Sequence, residues 1–145
     1  TRDYQQLQEL IDILNRLAKA IKKTQDKETG VWWQIMNKQN QEGNYLEASA
    51  SCMFTYALAK AVRKEYLPDS YRRTAERAYK GILDQFVTEN TDGTLDLNNI
   101  CRSAGLGYGR DGSYEYYIHE EIVSNDGKGI GPFITASVEM HKINN

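Results

Sequence analysis

Two stretches decide the fold: "EASASCMF", residues 47–54, and "PFITASVEM", residues 132–140. Both are rich in small and apolar side chains and nearly free of charge. A helix of that make-up approaches its neighbours closely and is buried on most sides. The first stretch lies in an expected helix over 46–66, with no charge between Glu47 and Lys60. Pro68 ends that helix or opens the next. The second stretch follows Gly131, and Pro132 suits the first position of a last helix running through Phe133, Ile134, Ala136, Val138 and Met140.

Each of these helices is preceded by one of opposite character. Over residues 3–24, Tyr4, Leu7, Leu10, Ile11, Leu14, Leu17, Ala18 and Ile21 recur at three- and four-residue steps. Asp3 is placed as the N-cap, and Lys22 and Lys23 sit at the negative end of the dipole. Over 71–86, Ala75, Ala78, Tyr79, Ile82, Leu83 and Phe86 form an apolar stripe. Arg72, Arg73, Glu76, Arg77 and Lys80 form its wet face.

The order therefore repeats: amphipathic helix, glycine turn (Gly30, then Gly93), short extended stretch, loop, small-residue helix. Of the extended pieces, Val31–Ile35 is β-prone but too short for a sheet, and Leu95 and Leu97 alternate briefly with polar residues. This is the pattern of an all-α protein of stacked helical hairpins, with outer and inner helices alternating. Residues 98–128 read as a long irregular loop rich in Gly, Asn and Tyr. Loops of that length in compact domains are functional or disordered, and the aromatics argue against disorder. Stacked repeats need about three copies for a continuous core. Two copies imply association, or membership of a larger ring or solenoid.

The length of 145 residues suits one domain over 1–145. A net charge of −2 offers no basic excess for a phosphate backbone, so nucleic acid is not expected as a partner. No apolar run approaches the roughly 18 residues of a membrane span, and no signal peptide is legible. A cytoplasmic chain without membrane contact is the expectation. Cys52 and Cys101 are too few for a disulfide framework, and Cys52 reads as a small buried hydrophobe. Ten tyrosines stand out. Their apolar faces and polar tips suit carbohydrate and interface surfaces, or half-buried helix faces.

Several motif readings fail. "GLGYG", residues 105–109, lacks the strand–turn–helix setting of a nucleotide fingerprint. "NDGKGIG" lacks Walker spacing. "TENTDGTLDLNN", residues 88–99, has glycine at the calcium-loop position but Thr first and Asn last. His119 and His141 are isolated, so neither metal nor cofactor is expected. The carboxylates Glu47, Asp111, Glu115, Glu120, Glu121 and Asp126 remain. Paired carboxylates beside tyrosines are what glycoside chemistry uses. Equally, Glu47 can cap a helix, and Asp111 can pair with Arg110 or make an Asx turn.

The co-linear strings "TGVWWQ" (29–34), "EGNYLEASASCMFTYALAKAVRKEYL" (42–67), "SAGLG" (103–107), "RDGSYEYYI" (110–118) and "NDGKGIGPFITASVEM" (125–140) carry a family resemblance. Over nearly its whole length the chain resembles the C-terminal part of the unsaturated rhamnogalacturonyl hydrolases, glycoside hydrolase family 105. The resemblance implies that 1–145 is a C-terminal fragment of an (α/α)6 toroid, supplying about two of six hairpins plus the long loop. It implies removal of a 4,5-unsaturated galacturonyl residue from pectin-derived oligosaccharides. An Asp protonates the sugar's double bond and helps activate water, and the hemiketal product then opens, without a metal. The family's acid belongs to the N-terminal part of the ring, so no catalytic residue transfers to this chain, which alone is expected to be inactive. Trp33, Arg110, Asp111 and Tyr114 fall in matching segments of loops at the ring's mouth and are the expected substrate-binding residues. The loop "GLGYGRDGS" is slightly shorter than the family's usual form. The exposed edge of the incomplete ring implies self-association. A non-catalytic helical module that binds carbohydrate or protein is the alternative reading.

Overall fold

The computed structural model describes residues 6–144. It contains five α-helices among the described residues: α1 (Leu7–Thr24), α2 (Ala48–Arg63), α3 (Arg72–Phe86), α4 (Tyr114–Ile118) and α5 (Gly127–Asn144). In chain order the long helices form two helix–loop–helix units, α1 then α2 and α3 then α5. Asp3 and Tyr4, expected at the start of the first helix, lie outside the described residues.

α2 is the centre of the molecule and packs along α5 and α3. Ser51, Cys52, Thr55, Leu58, Ala59 and Val62 are buried on it. The core has two parts. Ala18, Ile21, Trp32, Leu58, Val62, Tyr71, Ala75, Ala78 and Met140 fill the first. Val31, Ala48, Cys52, Ile82, Phe86, Leu97 and Ile100 fill the second, beneath the loops. Burying one such side chain contributes about 1.5–3 kcal/mol. Trp32 is fully buried and its indole N–H donates to Ile21 O at 2.8 Å, which ties α1 to the first turn.

Two glycines are fixed by contact. A Cβ at Gly81, inside α3, would lie 2.1 Å from Thr29 O, so α3 needs glycine where the first turn crosses it. A Cβ at Gly129 would lie 2.4 Å from Ile100 Cδ1. That contact corrects the expected start of the last helix. α5 begins at Gly127, where Asp126 Oδ1 accepts from Lys128 N at 2.9 Å, and Pro132 stands inside it. Three glycines in the first turn and a half weigh against helix by about 1 kcal/mol each. Packing of Gly129 on Ile100 and Leu97 overrides that preference.

Residues 98–128 are also more ordered than their composition suggests. β3 (Ile100–Cys101) pairs antiparallel with β4 (Ile122–Val123), and α4 lies between them. β1 (Val87–Glu89) and β2 (Leu95–Leu97) form a hairpin around the Asp92–Gly93 turn.

Candidate functional site

Loops from the two hairpins meet at one end of the molecule. Glu47 joins them. It is 2% exposed, and its carboxylate accepts from Ser49 N at 3.1 Å, Ser49 Oγ at 2.9 Å and Ala50 N at 2.6 Å. That is the N-cap of α2. A fourth donor comes from the other hairpin: Cys101 N, at 3.0 Å. The neighbouring amide, Ala48 N, donates to Asn99 O at 2.9 Å. One side chain thus caps the inner helix and anchors the start of the long loop. With its oxygens so occupied, Glu47 is a structural tie and not an acid facing solvent.

Trp33 and Leu46 form an isolated antiparallel bridge, so residues 33 and 34 face opposite ways. Trp33 points toward Asp26, and its indole N–H donates to Asp26 Oδ2 at 3.1 Å. Burial pushes the Asp26 carboxyl up. The donors Thr29 N, Trp33 Nε1, Thr29 Oγ1 and Glu28 N outweigh burial and hold it below the usual range. Gln39, Asn40 and Leu46 complete the walls of this cleft, about 460 Å³.

Gln34 faces the other side. Its amide donates to Cys101 Sγ at 3.3 Å, beside the buried Tyr45 hydroxyl. Among the described residues that hydroxyl meets no hydrogen-bond partner of good geometry. Burial first, then the Cys101 thiol, hold the Tyr45 phenol above its usual range. Gln34, Met36 and Lys38 form one wall of a second cleft of about 450 Å³, and Ser113, Tyr114 and Tyr117 form the other.

α4 supplies that second wall. Ser113 Oγ accepts from Tyr116 N at 3.1 Å and caps it. The Asp111 carboxylate accepts from Ser113 N at 2.9 Å, an Asx turn just before the cap. That backbone bond, followed by the Ser113 side chain, lowers the Asp111 carboxyl. Tyr114 Oη donates to Glu42 O at 2.8 Å, and Gly43 lies against Ile118. The two hairpins are thus clasped, loop 37–44 on α4.

Of the expected binding residues, Tyr114 lines this second cleft, Arg110 and Asp111 are exposed on the turn just before α4, and Trp33 lines the neighbouring cleft. Gln34, Lys38 and Tyr117 join Tyr114 without having been singled out from sequence. The alternation along Val31–Ile35 was the available signal for Gln34. The Tyr114–Tyr117 spacing was the signal for one helical face. Among the described residues no three His, Cys, Asp or Glu side chains gather as a metal site, and no helix is long and apolar enough to cross a membrane.

Comparisons with known proteins agree with this architecture. The model of Glycosyl Hydrolase Family 88 matches residues 1–144. Protein Atu3128 of Agrobacterium fabrum (strain C58) is 37% identical over 121 residues. The match covers 77% of this chain and 52% of that protein. The 24.9 kDa protein in the picA locus of Rhizobium radiobacter aligns with the same figures. The chain therefore spans about half the length of the curated relatives it matches. A family 105 glycoside hydrolase of C. acetobutylicum ATCC 824 superposes with a TM-score of 0.95 at 48% identity. That superposition covers 98% of this chain and 40% of that one. A possible family 105 member from Salmonella enterica serovar Paratyphi A gives 0.81 at 27% identity, covering 100% of this chain and 35% of its own. The family 105 structures are (α/α)6 toroids, and the two hairpins described above form part of such a ring. The chain belongs to Glycosyl Hydrolase Family 88 and has family 105 glycoside hydrolases as structural relatives.

Proposed function

We propose that these 145 residues are the C-terminal, sugar-gripping part of a hydrolase that removes unsaturated galacturonyl residues from pectin-derived (rhamnogalacturonan) oligosaccharides. The observation that carries this reading is the co-linear family match over residues 1–144, together with two loops clasped into one rim beside an aromatic cleft. In this reading Tyr114, Arg110, Asp111 and Trp33 contact substrate. The acid that protonates the double bond lies outside these residues. The buried carboxylate at the rim supports this, because all its contacts serve the fold.

On this account the chain binds sugar without turning it over. The test follows loss of the double-bond absorbance of an unsaturated galacturonyl disaccharide in the presence of the chain. Robust turnover would refute the assignment of the acid elsewhere. The alternative, a non-catalytic binding module, is favoured by the same polar and aromatic cleft. It gains support if the chain binds sugar yet no segment of a relative restores turnover on mixing.

The reading also includes self-association through the open edge of the ring. Leu10, Ile13 and Leu17 on α1, and Ile134 and Val138 on α5, are about half exposed. Apolar stripes of that kind mark contact surfaces. Light scattering tests this: a concentration-dependent mass is expected, and a monodisperse monomer contradicts it.

A further inference from the structure

The loop between β3 and α4 turns on a two-residue hairpin. Gly107 N donates to Arg110 O at 3.2 Å, and Arg110 N to Gly107 O at 3.0 Å. The central residues are Tyr108 at φ 54° and Gly109 at φ 85°. Positive φ at both defines a type I′ turn, whose first central position favours Asn, Asp or Gly. An aromatic residue is sterically disfavoured in that region. Tyr108 gains nothing from its own chain in return. Its relative exposure is 107%, so the ring buries no surface.

We propose that Tyr108 is a sugar-stacking residue, presented by this turn to a pyranose ring of the bound oligosaccharide. The inference rests on the carbohydrate reading above and adds a contact outside the clefts. Three observations favour a sugar over a protein. The ring stands between two glycines with open space around both, so a flat ligand can reach its face. Arg110 and Asp111, both exposed, follow at once and offer a donor fork and an acceptor to sugar hydroxyl or carboxylate groups. The exposed apolar surface of the tip is small. Beside Tyr108 it comprises Leu106, 74% exposed, which also touches Gly112, where a Cβ would lie 2.4 Å from Leu106 Cδ2. A ring with one apolar neighbour suits one pyranose, whereas a protein interface requires a larger contiguous patch.

The test compares the chain with Tyr108→Asn and Tyr108→Trp. Asn is the residue the turn prefers, so Tyr108→Asn relieves backbone strain and removes the ring. Thermal melting and calorimetric titration with an unsaturated galacturonate trisaccharide are measured on each. Tyr108→Asn is expected to melt about 2 °C higher and to bind about tenfold more weakly, the equivalent of about 1.4 kcal/mol. Tyr108→Trp is expected to retain affinity. If the parent binds and Tyr108→Asn binds equally well, the stacking role is overturned while the carbohydrate reading stands. If the parent binds no saccharide, both fall. If Tyr108→Asn alters self-association and leaves affinity unchanged, the ring serves a second copy of the chain, which also overturns the proposal.

Discussion

Replacing Glu47 by alanine removes four hydrogen bonds that hold the start of α2 and the β3 segment together. Loss of the N-cap of α2 costs about 1 kcal/mol. Cys101 N belongs to the other hairpin and loses its acceptor, and an orphaned donor in the interior costs about 1–3 kcal/mol. Together the cost is about 2–4 kcal/mol, a large fraction of the marginal stability of a chain this size. With a urea slope near 2 kcal/mol/M, the midpoint should fall by about 1–2 M. Glu47→Gln is a graded control. One carboxylate oxygen serves both Ser49 donors and Cys101 N, and the other serves Ala50 N. A glutamine that keeps the first oxygen loses only the Ala50 contact and should cost about half as much. Hydrogen exchange localises the effect, because the Cys101 amide should exchange faster in Glu47→Ala than in the parent. A Glu47→Ala midpoint within about 0.3 M of the parent, or an unchanged Cys101 amide, would refute the tie between α2 and the loop.

Three further expectations follow from named contacts. Burial, assisted by the Glu47 charge, pushes the Cys52 thiol up to about 12. An alkylating reagent at neutral pH should therefore label the half-buried Cys101 and spare Cys52 until the chain unfolds, as peptide mapping would reveal. The Arg63 guanidinium grips Glu139 at 2.7 and 2.9 Å and, against the opposing pull of burial, holds its carboxyl below the ordinary value. The group is depressed in the fold, so its stabilisation is present above the unfolded value near 4.3 and is lost as pH falls through the folded one. Melting temperature should drop below about pH 4.3, and Glu139→Gln should lose part of that slope as well as about 2 kcal/mol at neutral pH. Tyr114→Phe deletes the clasp to Glu42 O at a net cost of about 1 kcal/mol. It should weaken saccharide binding in titration more than it lowers stability, since it frees loop 37–44 while leaving the core intact.

The hairpin order was legible because helix periodicity and small-residue stretches are local signals. α1 and α3 end within a residue of the expected positions wherever the structure describes them, whereas α2 starts two residues later and stops three residues earlier than expected. Pro132 misled by one turn and more: its preference for a first helical position is a backbone statistic, and the contact of Gly129 with Ile100 is long-range. α4 was hidden in a Gly- and Tyr-rich loop, although Ser113 followed by tyrosines at residues 114 and 117 is a cap and a face. The separation of Trp33 from Tyr114 depends on which side of the Trp33–Leu46 bridge each residue faces. Only the partner segment fixes that. Glu47 carried two readings in the sequence, and the distant Cys101 amide decides for the structural one.

The central claim is that this chain grips an unsaturated galacturonyl sugar and leaves the chemistry to residues outside it. Calorimetric titration with the unsaturated galacturonyl disaccharide, run beside the double-bond absorbance of the same sample, tests it most directly. The account predicts saturable binding with constant absorbance. Absence of binding, or binding with steady loss of absorbance, would contradict it.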